Sequence, residues 1–230
     1  MKVYYAKVSP SFKEDTFFAH SGKIEPGRLI AAEKMKNEKA KMRSLSAGLL
    51  LHAGLCDYLK LPEKETPPFR TARGEWGKPF LEDYSDVHFN LSHSGEYVCC
   101  AVSEHEVGAD IQKHQDKIGA AGFAGSGIAR RFFTEEDNRL LGACGEKDRQ
   151  ERFFRIWSVR ESYIKFTGRG MGQGLDSFAI DWEHKQICDQ GVTAARFEEY
   201  AGIEGYSLCV CMAYTGQEKM DVQWEAVDFC

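Results

Sequence analysis

Two long stretches of helical periodicity, each followed by short alternating strands, constrain this chain more than any other feature of its sequence. In "ERFFRIWSVRESYIKFTG" (residues 151–168), Phe153, Ile156, Trp157 and Ile164 fall on one stripe at about 100° per residue, and Gly168 ends the run. The earlier stretch runs from about Pro26 to Leu59, with Leu45, Leu49 and Leu50 on its apolar face and Gly54 as a weak point. A strand, "KVYYAKV", precedes it, and Pro67-Pro68 in "LPEKETPPF" forces a connector after it. Val87, Phe89 and Leu91 then alternate with polar residues, "EYVCCAV" returns after a turn at Ser94-Gly95, and "VGADI" makes a third strand. The Gly-rich "IGAAGFAGSGIARRFF" turns helical near Ile128. In "TEEDNRLL", Thr134 is placed to cap a helix with Asp137 three residues on. "DSFAIDW" and "YSLCVCMAY" read as late strands. The expected class is α+β, one plan used twice without a literal repeat, as lobes 1–105 and 106–230.

Composition narrows the function classes. At 230 residues, 43% apolar, the chain suits one compact unit or two small lobes. A net charge of −5 argues against a general nucleic-acid binder. Locally, Lys34, Lys36, Lys39, Lys41 and Arg43 outnumber Glu33 and Glu38, which suits either a solvated helix face or a phosphate contact. The eight cysteines form no CxxC pair, and Cys99-Cys100 and Cys209-x-Cys211 sit in apolar alternation, so they read as buried free thiols. No apolar run approaches a membrane span and the N-terminus has no signal-like core, so a cytoplasmic protein without membrane contact is expected.

The polar residues embedded in these elements point to chemistry. Along "VGADIQ" as a strand, Val107, Ala109 and Ile111 share one face while Gly108, Asp110 and Gln112 share the other. On the long helix, Glu161 and Lys165 lie near 80° and 120° from Phe153, one turn apart at the flank of the buried stripe. They suit an ordinary stabilising pair or a partly dehydrated site beside Trp157. "FNLSHSG" gathers hydroxyls, an imidazole and backbone N–H groups near a turn, and "RTARGEWGKPFL" adds Arg70, Arg73 and Lys78, so phosphate contact by Ser92 and His93 weighs against a plain hairpin. No GxSxG elbow exists, and adjacent Ser92 and His93 cannot serve each other in a hydrolase triad. His88, His93 and His105 lack HExxH spacing, and "GRGMGQGL" follows a helix instead of opening one. Oxygen ligands plus cations remain, the equipment for displacement at a polyphosphate with Mg²⁺.

Taken together, "GKPFL", "FNLSHSG", "VGADI", "RRFFTEED" and "FFRIWSVRESYIKFTGRGM", with the weaker "KMRSLSAGLLL", make the chain resemble the 4′-phosphopantetheinyl transferases of the large monomeric, surfactin-synthetase-activating type. The resemblance spans about Lys36 to Ile180. It implies transfer of the phosphopantetheine arm of coenzyme A to a serine of an apo acyl or peptidyl carrier protein, releasing 3′,5′-ADP. It implies two pseudo-symmetric α+β lobes in a monomer, with CoA and Mg²⁺ (or Mn²⁺ in its place) in the cleft between them. It places Arg43 and Ser44 near the adenine nucleotide and Lys78, Ser92 and His93 on its phosphates. Asp110 and Glu161 would ligate the metal, Glu161 would also take the serine proton, Lys165 would touch the attacked phosphate, and Trp157 would pack behind Glu161. Where many members carry a third acid this chain has Gln112, a neutral donor, direct or through water. Two alternatives stay open: a non-catalytic carrier-binding homologue, and a Mg²⁺-dependent CoA pyrophosphate hydrolase.

Overall fold

The computed structural model describes residues 1–8, 20–115, 127–216 and 220–228, and its secondary structure mixes helices with largely antiparallel sheet. The chain divides into two compact units, one of residues Met1–Glu106 with Asp221–Cys230, the other of Val107–Met220. From sequence the second lobe is expected to span 106–230. The last residues belong instead with the first unit, because a short C-terminal strand pairs in parallel with the N-terminal one.

In the first unit, β1 (Lys2–Lys7), β4 (His88–Ser94), β5 (Tyr97–Ser103) and β11 (Gln223–Ala226) form a sheet in the order β11-β1-β5-β4. Two helices stand where one was expected: α1 (Pro26–Glu33) and α2 (Glu38–Leu59). The break comes at Asn37, which leaves the helical region and accepts the Ala40 N–H on its side chain at 3.0 Å, an N-cap. Ala47, Leu50, Leu51 and Leu55 of α2 bury against Tyr4, Phe89, Val98, Cys100 and Val102 of the sheet. Gly54 is less a weak point than a seat, since a Cβ there would lie 2.7 Å from the Tyr4 ring. A small hairpin of β2 (Thr71–Arg73) and β3 (Pro79–Leu81), not expected from sequence, follows the proline connector.

The second unit lays one helix on a five-stranded antiparallel sheet, in the order β6 (Val107–Lys113), β10 (Tyr206–Ala213), β9 (Val192–Tyr200), β8 (Gln186–Asp189), β7 (Ala179–Asp181). Helices α3 (Gly127–Phe132) and α4 (Glu135–Ala143) precede the long α5 (Glu146–Thr167), which begins five residues before the expected start because Glu146 and Asp148 favour its first turn. Most of the Gly-rich segment lies outside the described residues. Thr134 caps α4 as expected: its Oγ1 accepts the Asp137 N–H, and Asp137 Oδ2 accepts the Thr134 N–H. Phe153, Ile156 and Ile164 are buried, and Trp157 packs with Phe132, Phe133 and Phe153.

Two contacts set where α5 sits. The fully buried Arg160 donates to Asp137 Oδ2 at 2.8 Å through Nε, to the Phe178 carbonyl at 3.1 Å and to the Leu175 carbonyl, tying α4, α5 and the following loop together. Gly108 of β6 lies directly beneath the helix: a Cβ there would come 2.0 Å from the Ser162 carbonyl oxygen and 2.3 Å from the Phe166 nitrogen. Only a residue without a side chain lets the two backbones approach so closely. Gly108→Ala is therefore expected to cost about 3 kcal/mol of unfolding free energy, read by urea denaturation. By contrast Gly142→Ala, in α4 with nothing within 4 Å, should stabilise by about 0.5 kcal/mol.

Candidate functional site

The contact at Gly108 decides what its neighbour two residues on can touch. Asp110 shares the Gly108 face of β6, so its carboxylate points at α5, where it is 4% exposed. Lys165 Nζ donates to Asp110 Oδ1 at 2.6 Å, and Ser158 Oγ donates to Oδ2 at 3.1 Å. Ser158 is fully buried and also reaches the Ser207 carbonyl at 3.3 Å. Ser158, Glu161 and Lys165 recur at three- and four-residue spacing, which puts them on one face of the helix. That spacing was the signal by which Ser158 could have been found.

Glu161 is half-buried on the same face. Burial pushes its carboxyl above the ordinary value of 4.5, the nearby negative charge of Asp110 pushes it further, and Lys165 pulls it back in part. Strand and helix thus present two carboxylates that interact, with a lysine ammonium beside them. Gln112, half-buried, follows on the same strand face. Among the described residues no three His, Cys, Asp or Glu side chains converge as a metal cage. The donor set is nonetheless one that suits Mg²⁺, which takes one or two carboxylates and fills its shell from substrate phosphates and water.

The expected phosphate contacts belong to the first unit. The turn between β4 and β5 is Gly95-Glu96, with Gly95 at φ +57° and Ser94 paired to Tyr97, so Ser92, His93 and Ser94 lie in the strand and not in the turn. Glycine at the first central position is what a two-residue hairpin of this hand requires. Phe89, Leu91 and His93 share the face that α2 covers, whereas Asn90 and Ser92 share the other. His93 is exposed at the end of that face and Ser92 is buried. Arg43 of α2 donates through Nη1 to the Gly95 carbonyl at 3.4 Å, and its buried Nε has no hydrogen-bond partner among the described residues. The structure therefore brings Arg43 to the turn of the hairpin whose first strand carries His93, with a buried guanidinium N–H unpartnered among the described residues.

Ser44, next to Arg43, is buried, and its carbonyl accepts from Arg28 Nη1 at 3.4 Å. Arg28 was not singled out by sequence. Burial lowers its pKa, and the charge of Arg73 lowers it further after a partial offset from Glu25. Lys78 is placed differently: its ammonium meets Glu106 Oε2 at 2.5 Å, and His88 Nδ1 meets the other oxygen of the same carboxylate at 3.2 Å. Lys78 thus sits toward the His88 end of β4 and not the His93 end. Glu106 carries no sequence signal, being one of two acids in the short link between two strands.

Seven cysteines lie among the described residues; all are free, and Cys56, Cys99, Cys100, Cys209 and Cys211 are buried, as expected of core thiols. No helix among the described residues is long and apolar enough to cross a membrane.

Residues 106–211 match the family described as the 4′-phosphopantetheinyl transferase superfamily. The chain is 31% identical over 228 residues to the 4′-phosphopantetheinyl transferase gsp of Aneurinibacillus migulanus, covering 96% of this chain and 90% of that protein. It is 26% identical to the 4′-phosphopantetheinyl transferase Sfp of Bacillus subtilis (strain 168), with 93% of each chain covered. Another 4′-phosphopantetheinyl transferase of Bacillus subtilis is 36% identical over 144 residues, 61% of each chain.

The raised pKa of Glu161 has a stability consequence. In the folded state this carboxyl holds its proton to higher pH than in the unfolded chain, so its contribution is complete below about pH 4.5 and is lost as pH rises through the elevated folded value. In metal-free buffer, Glu161→Gln should remove that downward slope and be the more stable protein at pH 7, as read by denaturant titrations at a series of pH values.

Proposed function

The chain belongs to the 4′-phosphopantetheinyl transferase superfamily, in its Sfp-like type, and from that premise we propose how its residues divide the work. As a transferase of this kind, it modifies carrier proteins using coenzyme A. The observation that carries the residue-level reading is the meeting of Asp110, Glu161 and Lys165 on facing surfaces of β6 and α5.

In this reading, Asp110 and Glu161 would hold Mg²⁺, with Gln112 contributing through water. Bound there, the metal would neutralise charge developing on the phosphate oxygens. Glu161 accepts the proton of the carrier serine, directly or through water. The serine oxygen forms a bond to the phosphorus bearing the pantetheine arm, the bond from that phosphorus to the bridging oxygen breaks, and 3′,5′-ADP leaves. Lys165 offers its ammonium to the phosphate under attack.

The first unit would supply the nucleotide contacts. Arg43, whose buried Nε has no hydrogen-bond partner among the described residues, and its neighbour Ser44 would lie near the adenine nucleotide, and the exposed His93 would meet its phosphates. Lys78 and Ser92 complete the proposed set. The reading further takes the two units as pseudo-symmetric lobes of a monomer, with CoA held in a cleft between them. In its support, each unit carries a 22-residue helix on a largely antiparallel sheet.

Incubation with CoA, Mg²⁺ and an apo carrier protein, followed by mass spectrometry, tests this directly. A carrier gaining one phosphopantetheine is expected; release of free phosphopantetheine would mean a hydrolase, and no product a carrier binder without catalysis. Glu161→Gln should slow transfer by about 10²–10⁴-fold and Asp110→Asn by a similar factor, with circular dichroism unchanged. Near-normal turnover in either folded variant would remove that residue from the mechanism. His93→Ala should weaken CoA binding by about tenfold, the loss of one charge-assisted hydrogen bond, in a calorimetric titration.

A further inference from the structure

Asp110 does not present a vacant carboxylate to an incoming cation. One oxygen is met by the Lys165 ammonium at 2.6 Å and the other by the Ser158 hydroxyl at 3.1 Å, on a side chain only 6% exposed. Resting on the reading of Asp110 and Glu161 as metal ligands, we propose that Lys165 is a built-in competitor for the metal. Its ammonium is the counter-ion of Asp110 when no metal is bound, and a divalent cation enters by displacing it toward the substrate diphosphate.

The physical grounds are charge and dehydration. A carboxylate this buried needs a partner, and an ammonium within hydrogen-bond distance supplies one. A divalent cation about 2 Å from the same oxygen would lie only a few ångströms from the ammonium. In a site largely shielded from water, two positive charges that close repel strongly. The lysine can leave, because its side chain is 28% exposed and its stem is flexible. A diphosphate gives it somewhere to go. Metal and CoA should therefore each tighten the other's binding, and by the same factor, as linkage requires.

This arrangement also bears on Gln112. With a neutral amide on the strand face beside Asp110, the protein itself offers few negative charges to outbid the lysine. Metal capture then leans on the phosphates of the substrate, so that the cation arrives with its substrate and is held poorly without it.

The test uses Mn²⁺ as the probe on the full chain, its free concentration read by electron paramagnetic resonance, without CoA and then with CoA after correction for Mn²⁺ held by CoA alone. Without CoA, Lys165→Met should bind Mn²⁺ about tenfold or more tightly than the parent. Lys165→Gln, which keeps a hydrogen-bond donor for Asp110 and so guards against misfolding, should shift the same way. Lys165→Arg should stay near the parent, and Asp110→Asn should abolish the site. CoA should tighten Mn²⁺ binding to the parent more than to the Met or Gln variants. Unchanged or weaker Mn²⁺ binding in both Lys165→Met and Lys165→Gln, beside a parent that binds it at Asp110, would overturn the competition and leave the ligand reading standing. Absence of Mn²⁺ binding by every form, with and without CoA, would overturn both.

Discussion

The backbone of β6 lying against the backbone of α5 at Gly108 is the constraint on which the rest of the second unit depends. A helix normally stands off a sheet by the depth of interleaved side chains. Here the strand contributes none at the crossing, and the Ser162 carbonyl and Phe166 nitrogen take up that space. The close approach puts Asp110 within hydrogen-bond reach of both the short Ser158 and the long Lys165 side chains. It also keeps the Asp110 carboxylate out of bulk water, and Glu161 beside it is raised first by its own burial and then by the Asp110 charge. One missing Cβ thus links packing to electrostatics.

Both units meet the cost of partly buried charge in the same manner, with a counter-ion from within the chain. Asp110 is held by Lys165, Lys78 by Glu106, Arg155 by Glu199, and Arg160 by Asp137. Breaking such a pair strands a charge that water can no longer reach, a far larger penalty than the pair's own net contribution to folding. For the last two pairs the bond is purely architectural. In the first two, Asp110, Lys165 and Lys78 are also groups assigned to the proposed reaction, so the fold holds them neutralised by a partner within the chain.

Much of this was legible in the sequence where one physical rule dominates locally. The 3.6-residue period located α5, Thr134 and Asp137 announced the start of α4, and period-two alternation set Asp110 on the face opposite Ala109 and Ile111. Rules of that kind fail where the deciding partner is distant. The cap at Asn37 was lost among lysines that read equally well as a continuous helix face. β9 was missed because Arg196, Glu198 and Glu199 obscure the inward alternation of Ala195 and Phe197, and their charges are absorbed by neighbours such as Arg155 and Lys185. β11 pairs with a strand at the other end of the chain. On a helical wheel Lys165 has Glu161 as its neighbour, and nothing in the wheel reveals the strand beneath that supplies Asp110. The turn after His93 was misplaced by one residue because Ser94, a favourable turn residue, is held in the ladder by Tyr97.

Arg160 joins three segments that are separate in sequence: the capped start of α4, the middle of α5 and the loop through Leu175 and Phe178. A guanidinium with no access to solvent cannot release one of these partners while keeping the others without leaving a bare ionic donor in the interior. Fraying of the α4 terminus, rotation of α5 and lifting of the loop are consequently not independent fluctuations. Amide protons in all three segments should exchange with deuterium as a single cooperative block, so that the helix carrying Glu161 and Lys165 opens with its surroundings or not at all.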